Sequence, residues 1–109
     1  MQNGLYRASF KTPMGEGFGV VVLTDGTLQG GDTMMYYQGN YSETGDQFTT
    51  SVEVDAHSTV PGMSSVFGPG RNRVHIDLKG HSSGDSATAQ GSSPQAPGVS
   101  FTVTLNRLA

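Results

Sequence analysis

The chain has 109 residues, a formal net charge of −3 and no cysteine. That length holds one domain with one modest core. The mild negative charge argues against a dedicated nucleic-acid binder, which relies on phosphate neutralisation, and the lack of cysteine excludes disulfides and thiolate metal sites.

Sixteen glycines and five prolines without a collagen period indicate many turns between short strands. The start, Met1-Gln2-Asn3-Gly4-Leu5-Tyr6-Arg7, has neither the basic nor the apolar region of a signal peptide. No stretch approaches the ~18 apolar residues of a membrane span. The expectation is a soluble, cytoplasmic protein with no membrane or nucleic-acid partner.

Residues 4–12 alternate as a first strand, with Tyr6, Ala8 and Phe10 on one face. Pro13-Met14-Gly15 breaks it. Glu16 to Thr24 forms a second strand ending in Val20-Val21-Val22-Leu23, apolar on both faces and therefore either central or covered by a neighbour. Asp25-Gly26 is a two-residue hairpin signal, followed by a short third strand, Thr27 to Gly30.

The stretch from Met34 to Ala56 reads as one long hairpin, with Tyr37, Gly39 and Tyr41 on one parity of its first arm. In its second arm Phe48, Thr50, Val52 and Val54 alternate with Thr49, Ser51, Glu53 and Asp55, one face buried and one in water. Between the arms lies Glu43-Thr44-Gly45-Asp46, read as a small acidic tip. His57 to Asn72 is the least regular part, and Pro61 to Gly68 predicts a single helical turn capping one end of the sheet. Alternation returns at Val74, Ile76 and Leu78. Ser83-Gly84-Asp85 turns into Ser86–Gly91, with Ala87 and Ala89 inward, and Ser92 to Gly98 reads as a stiffened loop. The last strand, Val99 to Leu108, places Phe101, Val103 and Leu105 inside.

About eight short strands joined by tight connections favour an up-and-down antiparallel β-barrel. At that strand number the interior is either filled or holds one small ligand. If it is open to a small apolar ligand, Tyr37, Phe48, Val52, Ile76, Phe101 and Val103 are the residues expected to line it.

Several motifs invite a chemical reading. Gly80-His81-Ser82-Ser83-Gly84 matches the Gly-x-Ser-x-Gly of a nucleophile elbow, which needs a helix behind the serine. A strand pattern follows instead, and no histidine comes later, so Ser82 reads as an inert turn residue. Gly15-Glu16-Gly17-Phe18-Gly19 has the look of a phosphate-cradling loop or a base-stacking strand, but runs into strand residues and lacks a basic partner. It reads as a barrel strand whose glycines ease curvature. His57, His75 and His81 read as surface residues rather than metal ligands, and Arg71 and Arg73 as a solvated basic spot. Met34-Met35-Tyr36-Tyr37 divides between packing and an interface. No cofactor is implied.

Asn3-Gly4-Leu5-Tyr6, Leu28-Gln29-Gly30-Gly31-Asp32 and Tyr37-Gln38-Gly39 together resemble the GrlR-like family of type III secretion negative regulators. Gly62 to Gly68 and Ser92 to Gly98 look like a broader branch of it. The resemblance implies a lipocalin-like barrel with an apolar interior, a homodimer and a non-enzymatic role in which a transcriptional activator is bound directly. Within that family four consecutive acidic residues on an exposed loop are tied to the activity. They fall here on residues 43–46, where Glu43 and Asp46 match and Thr44 and Gly45 depart. The implied contacts with a protein partner are therefore Glu43 and Asp46.

Overall fold

The computed structural model describes residues 1–62 and 73–109. Eight strands follow one another: β1 (Gly4–Thr12), β2 (Gly15–Thr24), β3 (Thr27–Gly31), β4 (Met35–Thr44), β5 (Gln47–Ala56), β6 (Arg73–Ser83), β7 (Ser86–Ser93) and β8 (Ala96–Arg107). Each pairs antiparallel with the next, and β8 returns to β1 through Ala8↔Leu105 and Phe10↔Val103, closing a barrel in sequence order. The fold is the all-β, up-and-down antiparallel barrel that the strand spacing predicts, and no helix occurs among the described residues. The helical turn predicted at Pro61 to Gly68 lies outside the described residues from 63 onward, as does Arg71.

Turn chemistry sets the register. Asp25 and Gly26 both have positive φ, 48° and 86°, the combination a type I′ hairpin demands. Gly45 and Gly84, at 62° and 59°, open the two Gly-Asp turns, where a type II′ turn needs a positive φ.

Inward positions are apolar on nearly every strand. Tyr6, Leu23, Phe48, Val54, Val74 and Phe101 are the largest fully buried side chains. Val103 departs from expectation: it is only partly buried, packed against the core rather than within it. The loop expected at 92–98 is mostly strand. β7 extends to Ser93 and β8 begins at Ala96, with a register shift between Gly91 and Ser93. Between Gly91↔Phe101 and Ser93↔Ala96 β7 advances two positions and β8 five, so an irregularity in β8 takes up the difference while pairing continues, which alternation alone does not show.

Glycines on the inward parity allow the sheet to coil. A Cβ on Gly39, Gly80 or Gly91 would lie 1.9, 1.8 or 1.7 Å from a carbonyl oxygen of the neighbouring strand. At Gly17 the ring of Phe10 packs where a side chain would be, and at Gly19 the Tyr37 ring does so beside the Gly31 carbonyl oxygen, 2.8 Å from a Cβ there. Those two rings meet edge to face, 5.7 Å between centroids. The glycine-rich start of β2 is thus a bed for two aromatic rings.

Candidate functional site

Of the six residues expected to line the interior, Tyr37, Val52, Ile76, Phe101 and Val103 do so. Together with Ala8, Phe10 and neighbouring aliphatics they surround a cavity of about 50 Å³. Ligand pockets usually offer roughly 300 Å³ or more. Phe48 is buried but lies outside this cavity, beside the β4–β5 turn, where its ring stacks on Tyr41 at 5.9 Å. The interior is therefore largely filled by its own side chains. Tyr37 is anchored by a hydrogen bond from its hydroxyl to Asp32 Oδ2. Burial, and then that carboxylate, push its ionisation far above the ordinary range, so it stays a neutral donor. Asp32 Oδ1 also accepts the backbone N–H groups of Met34 (2.9 Å) and Met35 (2.8 Å), tying down the β3–β4 connection. The Gly-Gly-Asp and Tyr-Gln-Gly motifs are joined by this contact.

Glu43 and Asp46 are both exposed at the β4–β5 end of the barrel but are held differently. Glu43 belongs to β4 and shares the inward parity of Met35, Tyr37, Gly39 and Tyr41, while the turn itself is Gly45-Asp46. One Glu43 carboxylate oxygen is bonded to the amino group of Met1 and the other accepts the Ser82 hydroxyl. These two hydrogen bonds, the Met1 one first, hold its pKa below the usual carboxylate range. Asp46 is exposed, 3.9 Å from His81 Nδ1. Ser82 is not a turn residue: it is buried near the end of β6 and faces inward to Glu43. Counting parity from Tyr37 would have placed Glu43 inward.

Sequence reasoning missed a polar cluster on the outer face. Ser51 and Glu53 on β5 stand opposite Asp77 and His75 on β6. His75 Nδ1 is 2.6 Å from Glu53 Oε1, and His75 Nε2 is 3.2 Å from Ser51 Oγ. Those distances resemble a nucleophile, base and orienting carboxylate. Asp77 alters the chemistry. Its Oδ1 accepts the Ser51 hydroxyl at 2.7 Å and faces His75 Nε2 at 3.0 Å. The hydrogen bond to Glu53, with a further one to Asp77, raises the His75 pKa, and Asp77 is lowered by Ser51 and then His75. The histidine is thus held towards imidazolium, donating to two carboxylates, and the serine proton points to Asp77. Cross-strand register is the signal that finds this cluster, since no local motif contains it. Arg73, part of the predicted basic spot, pairs with Glu53 at 3.7 Å. Among the described residues no three His, Asp or Glu side chains converge as a metal site.

A second exposed feature is apolar. Phe18, Val20 and Val22 occupy the outer face of β2 at 63, 45 and 44% exposure. Val20 is registered with Gly31 of β3, which is registered with Tyr36 of β4, itself 41% exposed. Val22 stands opposite the half-buried Leu5. The Val20–Leu23 run, apolar on both faces, is thus central in the sheet yet uncovered outside. In the Met34–Tyr37 group, Met35 and Tyr37 are packed inside and Tyr36 is the outward member.

No protein-family model matches the chain, and no curated protein matches it. Among the described residues no helix is long and apolar enough to cross a membrane.

Proposed function

We propose that this barrel is a non-enzymatic, cytoplasmic regulatory module that works by binding protein, and that its first partner is a second copy of itself. The observation carrying this is the outward stripe Phe18, Val20, Val22. Contiguous apolar patches on a sheet face mark association surfaces. The stripe has no charge between Phe18 and Val22, and its rim is charged, with Arg7 opposite Val20 and the Lys11–Glu16 pair at 3.8 Å. An apolar centre with a polar rim is the anatomy of a protein interface. A two-fold pairing sets Phe18 of one copy against Val22 of the other, with Val20 near the axis, as an isologous contact requires.

The resemblance to GrlR-like regulators adds a transcriptional activator as the class of target, with Asp46 as an exposed acidic contact. The small interior favours this reading over a carrier of an apolar ligand. The double-carboxylate hold on His75 favours it over a hydrolase. Charged residues such as Arg7, Glu53 and Lys79 on the outside of the barrel suit water rather than lipid.

Sedimentation velocity tests the self-association. The wild type is expected to run as a dimer and Phe18→Ser/Val22→Thr as a monomer, with unchanged far-UV circular dichroism. A monomeric wild type, or a variant that stays dimeric, would remove the β2 face as the binding surface.

A further inference from the structure

We infer that the first half of β2 is an open sheet edge, and that it takes an extended basic peptide of a protein partner as an added strand. β2 pairs with β1 over residues 15–23, but with β3 only from Val20 onward. β3 stops at Gly31, and the chain turns away into β4. Residues 15–19 therefore have a strand on one side only.

Register identifies the backbone groups left open. The two-residue turns at Pro13-Met14 and Asp25-Gly26 make Thr12↔Gly15 and Thr24↔Thr27 hydrogen-bonded pairs. Such pairs alternate with non-bonded ones along an antiparallel ladder. Counting from them, the odd residues of β2 bond to β1 and the even ones face the β3 side. Val20 meets Gly31 there. Glu16 and Phe18 meet no strand, and among the described residues no other backbone group bonds to them. Two N–H and two C=O groups thus point sideways from residues that are themselves exposed.

Other overhangs of this barrel are guarded. β6 runs past β7 over residues 73–76, and there Gln95 Oε1 accepts the His75 N–H at 3.0 Å. β8 runs past β1 over residues 96–101 and carries Pro97, a residue type that blunts an edge. The β2 overhang has glycine at 15, 17 and 19 and no such guard among the described residues.

The edge specifies its occupant. Backbone donors and acceptors at strand spacing are matched by another extended backbone, which is strand addition. An added antiparallel strand takes the line that a longer β3 would follow, so its residues pass Phe18, Gly17 and Glu16 in turn. The first lies beside the exposed Phe18 ring and is apolar. The second points inward, where the Phe10 ring occupies the space over Gly17, and is apolar too. The third stands opposite the Glu16 carboxylate and is Lys or Arg. A second copy of β2 would set Glu16 against Phe18, so self-pairing along this edge is the poorer match. Such a segment is the kind of target the protein-binding reading calls for. It does not depend on self-association, since edge bonds leave the outer face of β2 uncovered.

Amide hydrogen exchange and NMR titration test this. In the peptide-free protein the Glu16 and Phe18 amides are expected to exchange about tenfold or more faster than those of Gly17 and Gly19, which bond to β1. The probe is acetyl-Thr-Val-Leu-Lys-Thr-amide. Saturable binding is expected, with the Glu16 and Phe18 amides slowed about tenfold or more in the complex. The same peptide N-methylated at Val and Lys is expected to bind about tenfold or more weakly, and one with Glu for Lys a few-fold more weakly at low salt. Protected Glu16 and Phe18 amides in the free protein, no saturable binding, equal binding of the N-methylated peptide, or no preference for Lys over Glu would overturn the inference. The protein is unaltered throughout, so a folding defect does not enter. A monomeric chain that binds the probe would overturn only the self-association, and a dimer that ignores it only the added strand.

Discussion

Asp32 shows how much one short side chain organises. Its carboxylate satisfies two backbone donors at the β3–β4 connection and orients the Tyr37 ring over Gly19. The sequence marks Asp32 and Tyr37 as notable, yet their contact depends on a turn geometry that residue pattern does not specify. Glu43 is the opposite case: its parity on β4 is that of the inward residues, yet at the end of the barrel it stays exposed, and what the sequence does not show is its bonds to Met1 and Ser82. His75 yields a pH dependence. Its pKa is raised in the folded state, so its contribution to stability is fully present below the unfolded value of about 6.5 and is lost as pH rises through the folded value. In urea unfolding, His75→Gln is expected to be relatively more destabilising at about pH 6 than at about pH 9. An equal penalty at both would mean that Glu53 and Asp77 do not hold the imidazolium.

At the scale of elements, alternation made β1, β5, β6 and β8 legible because the barrel buries one face of each and leaves the other in water, while turn signals marked out the shorter strands between them. It failed where residues are small. The 92–98 segment looks like a loop through its serines, prolines and glycine, while backbone pairing carries β7 and β8 through it. The glycines hold a second lesson: the sequence shows that strands contain them, but only the fold separates their tasks. A methyl group on Gly80 would meet the Thr88 carbonyl oxygen of β7 at 1.8 Å, whereas one on Gly45 would find nothing within 4 Å, and the need there is a φ of 62°. Gly80→Ala is expected to cost about 3 kcal/mol or more, at the upper end of overpacking. Gly45→Ala is expected to cost only about 1–2 kcal/mol, the penalty of a left-handed conformation. Equal losses in chemical denaturation would mean that the strands do not approach as closely at Gly80 as described.

For the molecule as a whole, closure through β1 and β8 gives every described strand two neighbours, so addition of a partner's strand is confined to overhangs such as residues 15–19 of β2. The interior holds about 50 Å³, and the outer face of β2 carries the apolar stripe. Strand count and spacing made the barrel readable, but whether it is filled depends on how the rings of Phe10 and Tyr37 settle over glycines, which no spacing rule encodes. The β2 face was half legible: a run apolar on both parities signals a surface needing cover, but not which face lacks it. Native mass spectrometry of the purified chain separates a surface binder from a carrier. The expected species is two copies of the chain with no additional mass. A single copy carrying a small apolar molecule would contradict the account and make the barrel interior the working site.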